Sequence, residues 1–485
     1  MRRPSLLAVL LLLLLAATPA AAPAQIAPAE YAARRDRLMA TLGDGIFVLQ
    51  GADEPAEDYL AFWQSPDFEY LTGLREPGAA MILSKSGGAV TQFLFTEEKN
   101  PAREVWTGAR LGPEKAGANT GMTGRRIGDF QKVLDSLVAA APPKVFVVGN
   151  DKAGVALKAR APQLTYASAS GALQRLRGAK SEPELACLRK SIQVTNEAQK
   201  LAMRAVRPEV NEFEIQGLIE YTFRRNGADR PSFGTIVGSG PNSTTLHYNA
   251  NDRTMRAGEV VVMDIGASYR GYAADVTRTV PVSGKFSPEQ RAIYQVVRDA
   301  QAAAEKEAVI GAPANRMSAA ASATLAAGLA KLGLIESPGA TYDCGAGGTR
   351  QCPQLGLYYM HGLGHGIGLE VHDPEQYYYS GTIAAGSAFT IEPGIYVREN
   401  LMEILPKTPR NEQFVTAVRA THERYKNIGV RIEDSYVVSA AGVEWVSRVP
   451  REMDEVEAAM KLGPAMLSTA APPVDASCGP LRVQP

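Results

Sequence analysis

The segment MDIGASYRGYAADVTRT, residues 263–279, places two acidic side chains in a strand-like stretch of the chain. The pattern predicts two strands joined by a turn near Tyr269–Gly271. If the turn is centred on Tyr269-Arg270, Asp264 and Asp275 face each other, with β-carbons about 5 Å apart. Two carboxylates at that distance repel unless a proton or a cation lies between them. The segment therefore predicts a bound cation.

A simpler interpretation of these two acids also exists. Asp275 would then pair with Arg278, and Asp264 would only begin a turn.

Three further segments place polar ligands in apolar or glycine-rich surroundings. They are HGLGHGIGLEVHD (361–373), IEPGIYV (391–397) and GVRIEDSYVV (429–438). The first contains three of the five histidines of the chain, and its glycines at 362, 364, 366 and 368 disfavour a helix. Taken alone, Glu433 fits a strand charge paired with Arg431, and Glu392 fits a turn cap before Pro393.

Together these segments predict a metal centre. Its candidate ligands are Asp264, Asp275, His365, Glu392 and Glu433. An oxygen-rich set with one imidazole suits Mn²⁺ better than a thiolate-type zinc site. Four carboxylates are more than one ion needs, so we expect two divalent ions, with Mn²⁺ as the expected metal.

The same phrases, in the order Asp, Asp, His, Glu, Glu, resemble the pita-bread metallopeptidases, which include aminopeptidase P, prolidase and methionine aminopeptidase. Two N-terminal stretches, SPDFEYLTGLREPGAAMIL (65–83) and REVWTGARLGPEKA (103–116), resemble the N-terminal domain of aminopeptidase P. The resemblance implies an α/β (α+β) chain. A pita-bread catalytic domain would follow an N-terminal α/β domain of the creatinase/aminopeptidase-P type.

The resemblance also implies roles for single residues. The five candidate ligands would hold two ions with a bridging water or hydroxide, and Glu392 would shuttle a proton. Substrate contacts would come from residues matching the additional histidines of the family, His247, His361 and His372. Arg431 and Tyr396 are further candidates for binding substrate, through a carboxylate contact and a hydrogen bond.

The N-terminal resemblance implies assembly. By that resemblance Asp67 and Trp106 reach the substrate cleft of a neighbouring subunit in a homo-oligomer, either a dimer or a tetramer. The alternative is that Trp106 packs in the domain core and Asp67 caps a turn.

Three functions are consistent with these residues. The first is an exported Xaa-Pro aminopeptidase acting on peptides with proline in second position. The second is a prolidase-like dipeptidase, which needs a blocked cleft. Two apparent insertions could supply that block: CGAGGTRQC (344–352) and a segment at 398–425 expected to be a surface loop or hairpin with His422 exposed. The third is a non-catalytic peptide-binding protein on the same scaffold.

Targeting and domain organisation follow from composition. Arg2 and Arg3 precede an apolar run and a small-x-small site before Gln25, which predicts a removed signal peptide at 1–24 and export to a periplasm or the medium.

We expect an N-terminal domain at 25–175, a catalytic domain at 176–462 and a tail at 463–485. Predicted strands include GIFVLQG, AAMILS, TQFLFT and KVFVVG. Predicted helices begin after Ser181, at Asn211 and at Pro288.

Charge and cysteine content narrow the partners. The 485 residues carry a formal net charge of zero and no long basic run, which argues against nucleic acid. No later segment predicts a membrane anchor. Of the four cysteines, Cys344 and Cys352 flank a glycine-rich loop and could form a local disulfide, or remain two thiols. Cys187 is either a buried thiol or a partner of Cys478.

Overall fold

The computed structural model describes residues 26–464, apart from 141 and 150. The predicted signal peptide and Cys478 lie outside the described residues, as does the predicted tail beyond residue 464. The predicted domain boundary at 175/176 falls within a helix, Ser170–Gly178, and stays a prediction.

A mixed sheet forms the N-terminal part of the molecule. Its strands are β1 (Gly45–Gln50), β2 (Ala80–Ser86), β3 (Ala89–Thr96), β4 (Thr123–Arg126), β5 (Val145–Val147) and β6 (Tyr166–Ser168), in the spatial order β4-β3-β2-β1-β5-β6. The three neighbouring strands β1, β2 and β3 are antiparallel, whereas β4, β5 and β6 add in parallel. The four segments predicted as strands are confirmed.

Helices cover both faces of this sheet. They are α1 (Pro28–Leu42), α2 (Pro66–Thr72), α3 (Pro101–Thr107), α4 (Gly112–Thr120), α5 (Phe130–Ala139), α6 (Lys152–Arg160) and α7 (Ser170–Gly178). Two separate apolar clusters result, one containing Phe47 and Leu94 and the other Ile46 and Phe95, because successive residues of a strand point to opposite faces.

Short sheets build the second part of the chain. Their strands are β7 (Arg230–Pro231), β8 (Ile236–Ser239), β9 (Val260–Ile265), β10 (Ala267–Tyr269), β11 (Tyr272–Ala273), β12 (Val276–Pro281), β13 (Thr341–Cys344), β14 (Arg350–Pro353), β15 (Ala388–Ile391), β16 (Gly394–Val397), β17 (Ile428–Arg431), β18 (Asp434–Ser439) and β19 (Gly442–Trp445). The sheets have the orders β11-β10-β7, β12-β9-β8, β15-β18-β19, β13-β14 and β16-β17.

Long helices pack against these sheets. They are α8 (Glu182–Ala205), α9 (Glu212–Arg225), α10 (Pro288–Glu307), α11 (Asn315–Leu332), α12 (Tyr377–Ser380), α13 (Pro409–Tyr425) and α14 (Met453–Lys461). The helix predicted after Ser181 is confirmed, with a capping box between Ser181 and Glu184. Asn211 caps α9 in the same way. Among the described residues, no helix combines the length and hydropathy needed to cross a membrane.

The hairpin that carries the two aspartates has a different register from the predicted one. Its turn is centred on Arg270-Gly271, with φ of 53° and 85°, and Tyr269 pairs with Tyr272. Two positive φ values in a two-residue turn match the twist of the strands. Asp264 therefore faces Thr277 rather than Asp275.

The segment 398–425 is not the predicted surface loop or hairpin. Most of it is helix α13, whose N-cap Thr408 accepts a hydrogen bond from Asn411 N–H. The prediction that His422 is exposed is also wrong, because its side chain is only 2% accessible. Its ring Nε2 lies 2.9 Å from Arg398 O. Because this histidine satisfies a backbone carbonyl inside the fold, its role is structural.

Candidate active site

Five separate segments bring the predicted metal ligands to one cavity. Asp264 lies on β9, and Asp275 precedes β12. His365 lies in the loop before α12, and Glu392 and Glu433 each lie between two strands. All five line a cavity of about 480 Å³. The sequence therefore predicted correctly that these residues converge, although the register of the first hairpin was wrong.

His365 is the centre of the ligand set. Its Nε2 lies 3.5 Å from Asp275 Oδ2, 3.4 Å from Glu392 Oε1 and 4.0 Å from Glu433 Oε1. Its Nδ1 lies 3.1 Å from Gly366 O, so Nδ1–H donates to that carbonyl. The lone pair of Nε2 then faces the carboxylates, which is the usual arrangement of a metal-binding histidine.

The hydrogen bonding of the carboxylate oxygens in this cavity shows whether a cation fits among them. Asp264 Oδ1, Asp275 Oδ1 and Glu433 Oε1 are buried and have no hydrogen-bond partner among the described residues. Ligand atoms of Asp275, His365 and Glu433 all lie within 4.8 Å of one another. Buried carboxylate oxygens without partners are costly. Hard oxygen donors with one imidazole therefore fit divalent metal ions.

The electrostatics of the carboxylates point the same way. Burial, then the nearby Glu433, raises the pKa of Glu392 to about 8. Burial, then Asp264, raises the pKa of Glu433 to about 7. Burial and Glu433 raise the pKa of Asp275 well above its usual value. Without a cation, these crowded acids hold protons at neutral pH.

Arg431 is buried beside the ligands and hydrogen-bonds Asp264 through Nη2. Its Nη1 donates to Tyr396 Oη at 2.9 Å, and its Nε donates to Thr277 Oγ1 at 3.3 Å. Thr277 Oγ1 in turn donates to Glu433 Oε2 at 2.6 Å. Arg431 thus neutralises Asp264 and, through Thr277, helps to orient Glu433.

Two of the simpler interpretations, the pairing of Asp275 with Arg278 and that of Glu433 with Arg431, are wrong. Arg278 does not pair with Asp275 but with Asp434, at 2.6 Å. Arg431 pairs with Asp264 rather than with Glu433.

The remaining predicted histidines also line the cavity. His361 Nδ1–H donates to Gly362 O at 2.8 Å, so its Nε2 accepts from the Tyr396 hydroxyl at 2.9 Å. Burial, then Arg431, lowers the pKa of His361 to about 4. The His372 ring lies 4.2 Å from the His365 ring, and burial lowers its pKa. His247 also lines the cavity.

The sequence did not single out the apolar wall of the cavity. Phe233, Ile236, Leu246 and Val371 line it together with the carboxylates. These residues look like ordinary core residues in the sequence, so no local pattern marks them. Thr277 was missed for a similar reason, because a threonine in a strand is unremarkable.

The two N-terminal candidates lie apart from this cavity. Asp67 is in the first turn of α2 and pairs with Arg177 at 2.8 Å. Trp106 lies on α3 and is 74% exposed, so the alternative that it packs in the domain core is wrong.

The glycine-rich loop is the tip of a hairpin between β13 and β14. Cys344 pairs with Arg350 and Tyr342 with Cys352 in its register. The two cysteines lie side by side as a bonded pair with Cα atoms 5.8 Å apart. Their oxidation state in the protein stays a prediction. Cys187 is buried in α8, as one of its two predicted alternatives required.

Comparisons with known proteins agree with this site. Residues 186–440 match the family described as Metallopeptidase family M24. Residues 31–146 match the domain described as Aminopeptidase P, N-terminal domain. The Xaa-Pro aminopeptidase of Escherichia coli (strain K12) is 31% identical over 458 residues, which cover 90% of this chain and 98% of that protein. The Xaa-Pro aminopeptidase of Haemophilus influenzae is 32% identical and covers 82% of this chain and 88% of its own.

Solved structures give the same result. Pseudomonas aeruginosa aminopeptidase PepP has a TM-score of 0.76 and 31% identity, covering 90% of this chain and 99% of that chain. Proline aminopeptidase P II from Yersinia pestis has a TM-score of 0.77 and 29% identity, covering 90% and 100%. The expected pita-bread and N-terminal α/β architecture is thereby confirmed. The chain belongs to metallopeptidase family M24, and within it to the aminopeptidase P enzymes, which are metal-dependent aminopeptidase hydrolases.

Proposed function

We propose that this protein is an exported Xaa-Pro aminopeptidase that uses two Mn²⁺ ions to remove the first residue of peptides with proline in second position. The observation that carries the proposal is the set of unpaired, buried carboxylate oxygens around His365 Nε2. The names of the E. coli and H. influenzae relatives support the Xaa-Pro specificity.

The five ligands are assigned from their convergence. Asp264, Asp275, His365, Glu392 and Glu433 would hold the ions. When bound, two such ions activate a water molecule and polarise the scissile carbonyl.

The residues of the chain supply the proton transfers and the orientation. Glu392 takes the proton of the attacking water and passes it to the proline nitrogen, which has no N–H of its own and leaves more readily when protonated. His372 faces the cavity and is placed to donate to the carbonyl oxygen as charge develops on it. His247, which also lines the cavity, orients the substrate.

His361 acts with Tyr396. Both nitrogens of its neutral ring already have protein partners, so contact with the substrate carbonyl replaces one of these hydrogen bonds. Arg431 keeps the Tyr396 hydroxyl in place at 2.9 Å. Tyr396 is therefore the group that we expect to donate to the substrate when His361 moves.

The cavity favours an aminopeptidase over a prolidase. Among the described residues that line the 480 Å³ cavity, none comes from 344–352 or 398–425. The two apparent insertions therefore give no support to a blocked cleft. The non-catalytic alternative is set aside, because the family assignment makes the protein a hydrolase.

Assembly and export are parts of the same proposal. Val105 and Trp106 are 78% and 74% exposed on α3, which is unusual for large apolar side chains and favours a homo-oligomeric contact. Asp67 would join that contact only if it leaves Arg177. Light scattering of wild type and Trp106→Ala tests the assembly. Mass spectrometry of the N-terminus after expression in a Gram-negative host tests cleavage before Gln25.

The central experiment compares Ala-Pro, Ala-Pro-Ala and a longer Ala-Pro peptide, with protein that has been treated with a chelator and reloaded with Mn²⁺. We expect hydrolysis of the two longer peptides, loss of activity on chelation and loss in Glu392→Gln. The matched control is Glu197→Gln, a surface glutamate 54% exposed, which should keep full activity. Cleavage of the dipeptide alone would indicate a prolidase, and no Mn²⁺-dependent cleavage of any peptide would refute the proposal.

A further inference from the structure

A second cavity, of about 760 Å³, lies between the N-terminal and C-terminal parts of the chain. Trp63 and Arg75 line it from one side, and Arg230 and Leu369 line it from the other. Val371 forms part of its wall and also part of the wall of the catalytic cavity. The two cavities are therefore neighbours.

One structural element connects them. The turn residue Gly271 lines the second cavity, and its N–H donates to Asp229 Oδ2 at 3.1 Å. The arms of the same hairpin carry Asp264 and Asp275 to the catalytic cavity. The inter-domain cavity thus lies at the turn of the hairpin whose two arms carry Asp264 and Asp275.

Each acidic residue of the second cavity has an arginine partner. Arg75 pairs with Glu69 at 2.7 Å and with Asp229 at 3.0 Å. Glu370 pairs with Arg177 at 2.6 Å. The three acids of the lining thus stand against three arginines, Arg75, Arg224 and Arg230, so its formal charges balance. Among the described residues, Arg224 and Arg230 are the lining arginines that form no ion pair.

Arg230 is the arginine best placed to receive an anion. Its guanidinium lies over the Trp63 ring, 4.5 Å from the ring centroid. Its Nε is buried and has no hydrogen-bond partner among the described residues. An arginine held against an aromatic ring keeps its donors in place, and its planar fork matches a carboxylate.

The chemistry of an aminopeptidase sets which part of a substrate can reach this place. One residue precedes the scissile bond, so an adjoining cavity is filled from the C-terminal side of the peptide. Arg230 pairs with Ser268, four residues beyond Asp264 along the chain. At about 3.3 Å per residue the separation along the hairpin is at most about 13 Å, which an extended peptide covers in about four residues.

We propose that the inter-domain cavity binds the downstream part of the substrate peptide, and that Arg230, held against Trp63, binds a carboxylate at its fourth or fifth residue. The inference rests on the proposed aminopeptidase function and adds a preference for one kind of substrate. The carboxylate can belong to an acidic side chain or to the C-terminus of a short peptide.

Two pairs of peptides test both sources. Ala-Pro-Ala-Glu-Ala-amide is compared with Ala-Pro-Ala-Gln-Ala-amide, and Ala-Pro-Ala-Ala with its C-terminal amide. For each pair the ratio of kcat/KM is measured in wild type, in Arg230→Gln and in the control Arg126→Gln. Arg126 is a surface arginine whose side chain is 66% exposed, and it does not line the second cavity.

We expect wild type and Arg126→Gln to prefer the acidic member of at least one pair by about five- to tenfold, mainly through KM. Arg230→Gln should bring the ratio close to one. If that variant does not fold, Trp63→Leu should lower the ratio, since it removes the ring that holds the guanidinium.

The outcomes separate this inference from the proposed function. Preference in the first pair identifies an acidic side chain, and preference in the second identifies the C-terminus. Equal kcat/KM for both members of both pairs in wild type, or an unchanged ratio in Arg230→Gln, would overturn the inference while leaving the aminopeptidase intact. If no peptide is hydrolysed at all, including the neutral ones, the proposed function itself fails.

Discussion

Binding of Mn²⁺ to the metal-free protein should release protons, and the number released should depend on pH. Burial and mutual repulsion raise the pKa of Glu392 to about 8 and that of Glu433 to about 7. At pH 6 both carboxyl groups are therefore largely protonated. A carboxyl group must lose its proton to bind a metal ion.

The expected magnitude follows from these values. At pH 6, a group with a pKa of about 8 is roughly 99% protonated and one with a pKa of about 7 roughly 90%. Glu392 and Glu433 together should release about two protons per site, and Asp275 adds to this number. Toward pH 9 the contribution of these two glutamates should fall to about a tenth of a proton.

Titration calorimetry of Mn²⁺ binding, in two buffers with different enthalpies of ionisation, measures the protons released. Glu392→Gln should release about one proton fewer than wild type at pH 6, because its amide does not ionise. Release of less than one proton by wild type at pH 6, or the same release by the variant, would refute the reasoning.

The same groups determine how stability depends on pH. Their pKa values are higher in the folded metal-free protein than in the unfolded chain, so the folded state binds more protons between pH 4.5 and about 8. The contribution of these groups to stability is therefore complete below pH 4.5 and is lost as the pH rises through that window. The thermal midpoint of the metal-free protein should fall across it, and saturating Mn²⁺ should restore most of the loss.

Three substitutions test other parts of the site. Arg431→Met should destabilise the metal-free protein by about 3–5 kcal/mol in urea unfolding, because it leaves a buried carboxylate unpaired. Gly364→Ala should lower kcat/KM by about a hundredfold, since its Cβ would lie 2.0 Å from Thr390 O and displace the histidine segment. Gly362→Ala is the matched control, because its Cβ meets nothing within 4 Å. Cys344→Ser should lower stability by about 2–3 kcal/mol if the hairpin is oxidised, which a mass change of about 2 Da on reduction would show.

Each of these three predictions has a result that would contradict it. A loss of less than about 1 kcal/mol in Arg431→Met would mean that the carboxylate finds another partner. Equal kcat/KM in the two glycine variants would mean that the histidine segment yields without cost. No mass change on reduction of the wild-type protein would mean that Cys344 and Cys352 are two thiols.

The site was more predictable than its local geometry. Acidic residues in apolar strands are visible in any sequence, because burial of an unpaired charge is unfavourable and demands a reason. The convergence of Asp264 and Glu433 could therefore be expected. The actual pairing of the strands, in which Asp264 faces Thr277 instead of Asp275, could not be expected from the sequence. Either register puts both aspartates on the same face of the hairpin. The turn that forms is the one in which Arg270 and Gly271 both have positive φ values.

Tertiary packing decided the elements that were predicted wrongly. The segment 398–425 contains polar and charged residues that suit an exposed loop, yet Phe414 and Val418 bury one face of a helix there. His422 follows on the same face, at helical spacing. The apolar wall of the catalytic cavity was missed because a residue that lines a cavity and one that fills a core are the same in sequence.

The spread of the metal ligands along the chain has a mechanical consequence. The five residues line one cavity although they lie far apart in the sequence: Asp264 and Asp275 are on the two arms of one hairpin, and His365, Glu392 and Glu433 lie in three other connections. Bound ions would therefore act as a multi-point cross-link that closes several long loops at once. The rate at which a chelator strips the ions should then follow the opening of the whole C-terminal part of the chain, rather than the exchange of single side chains.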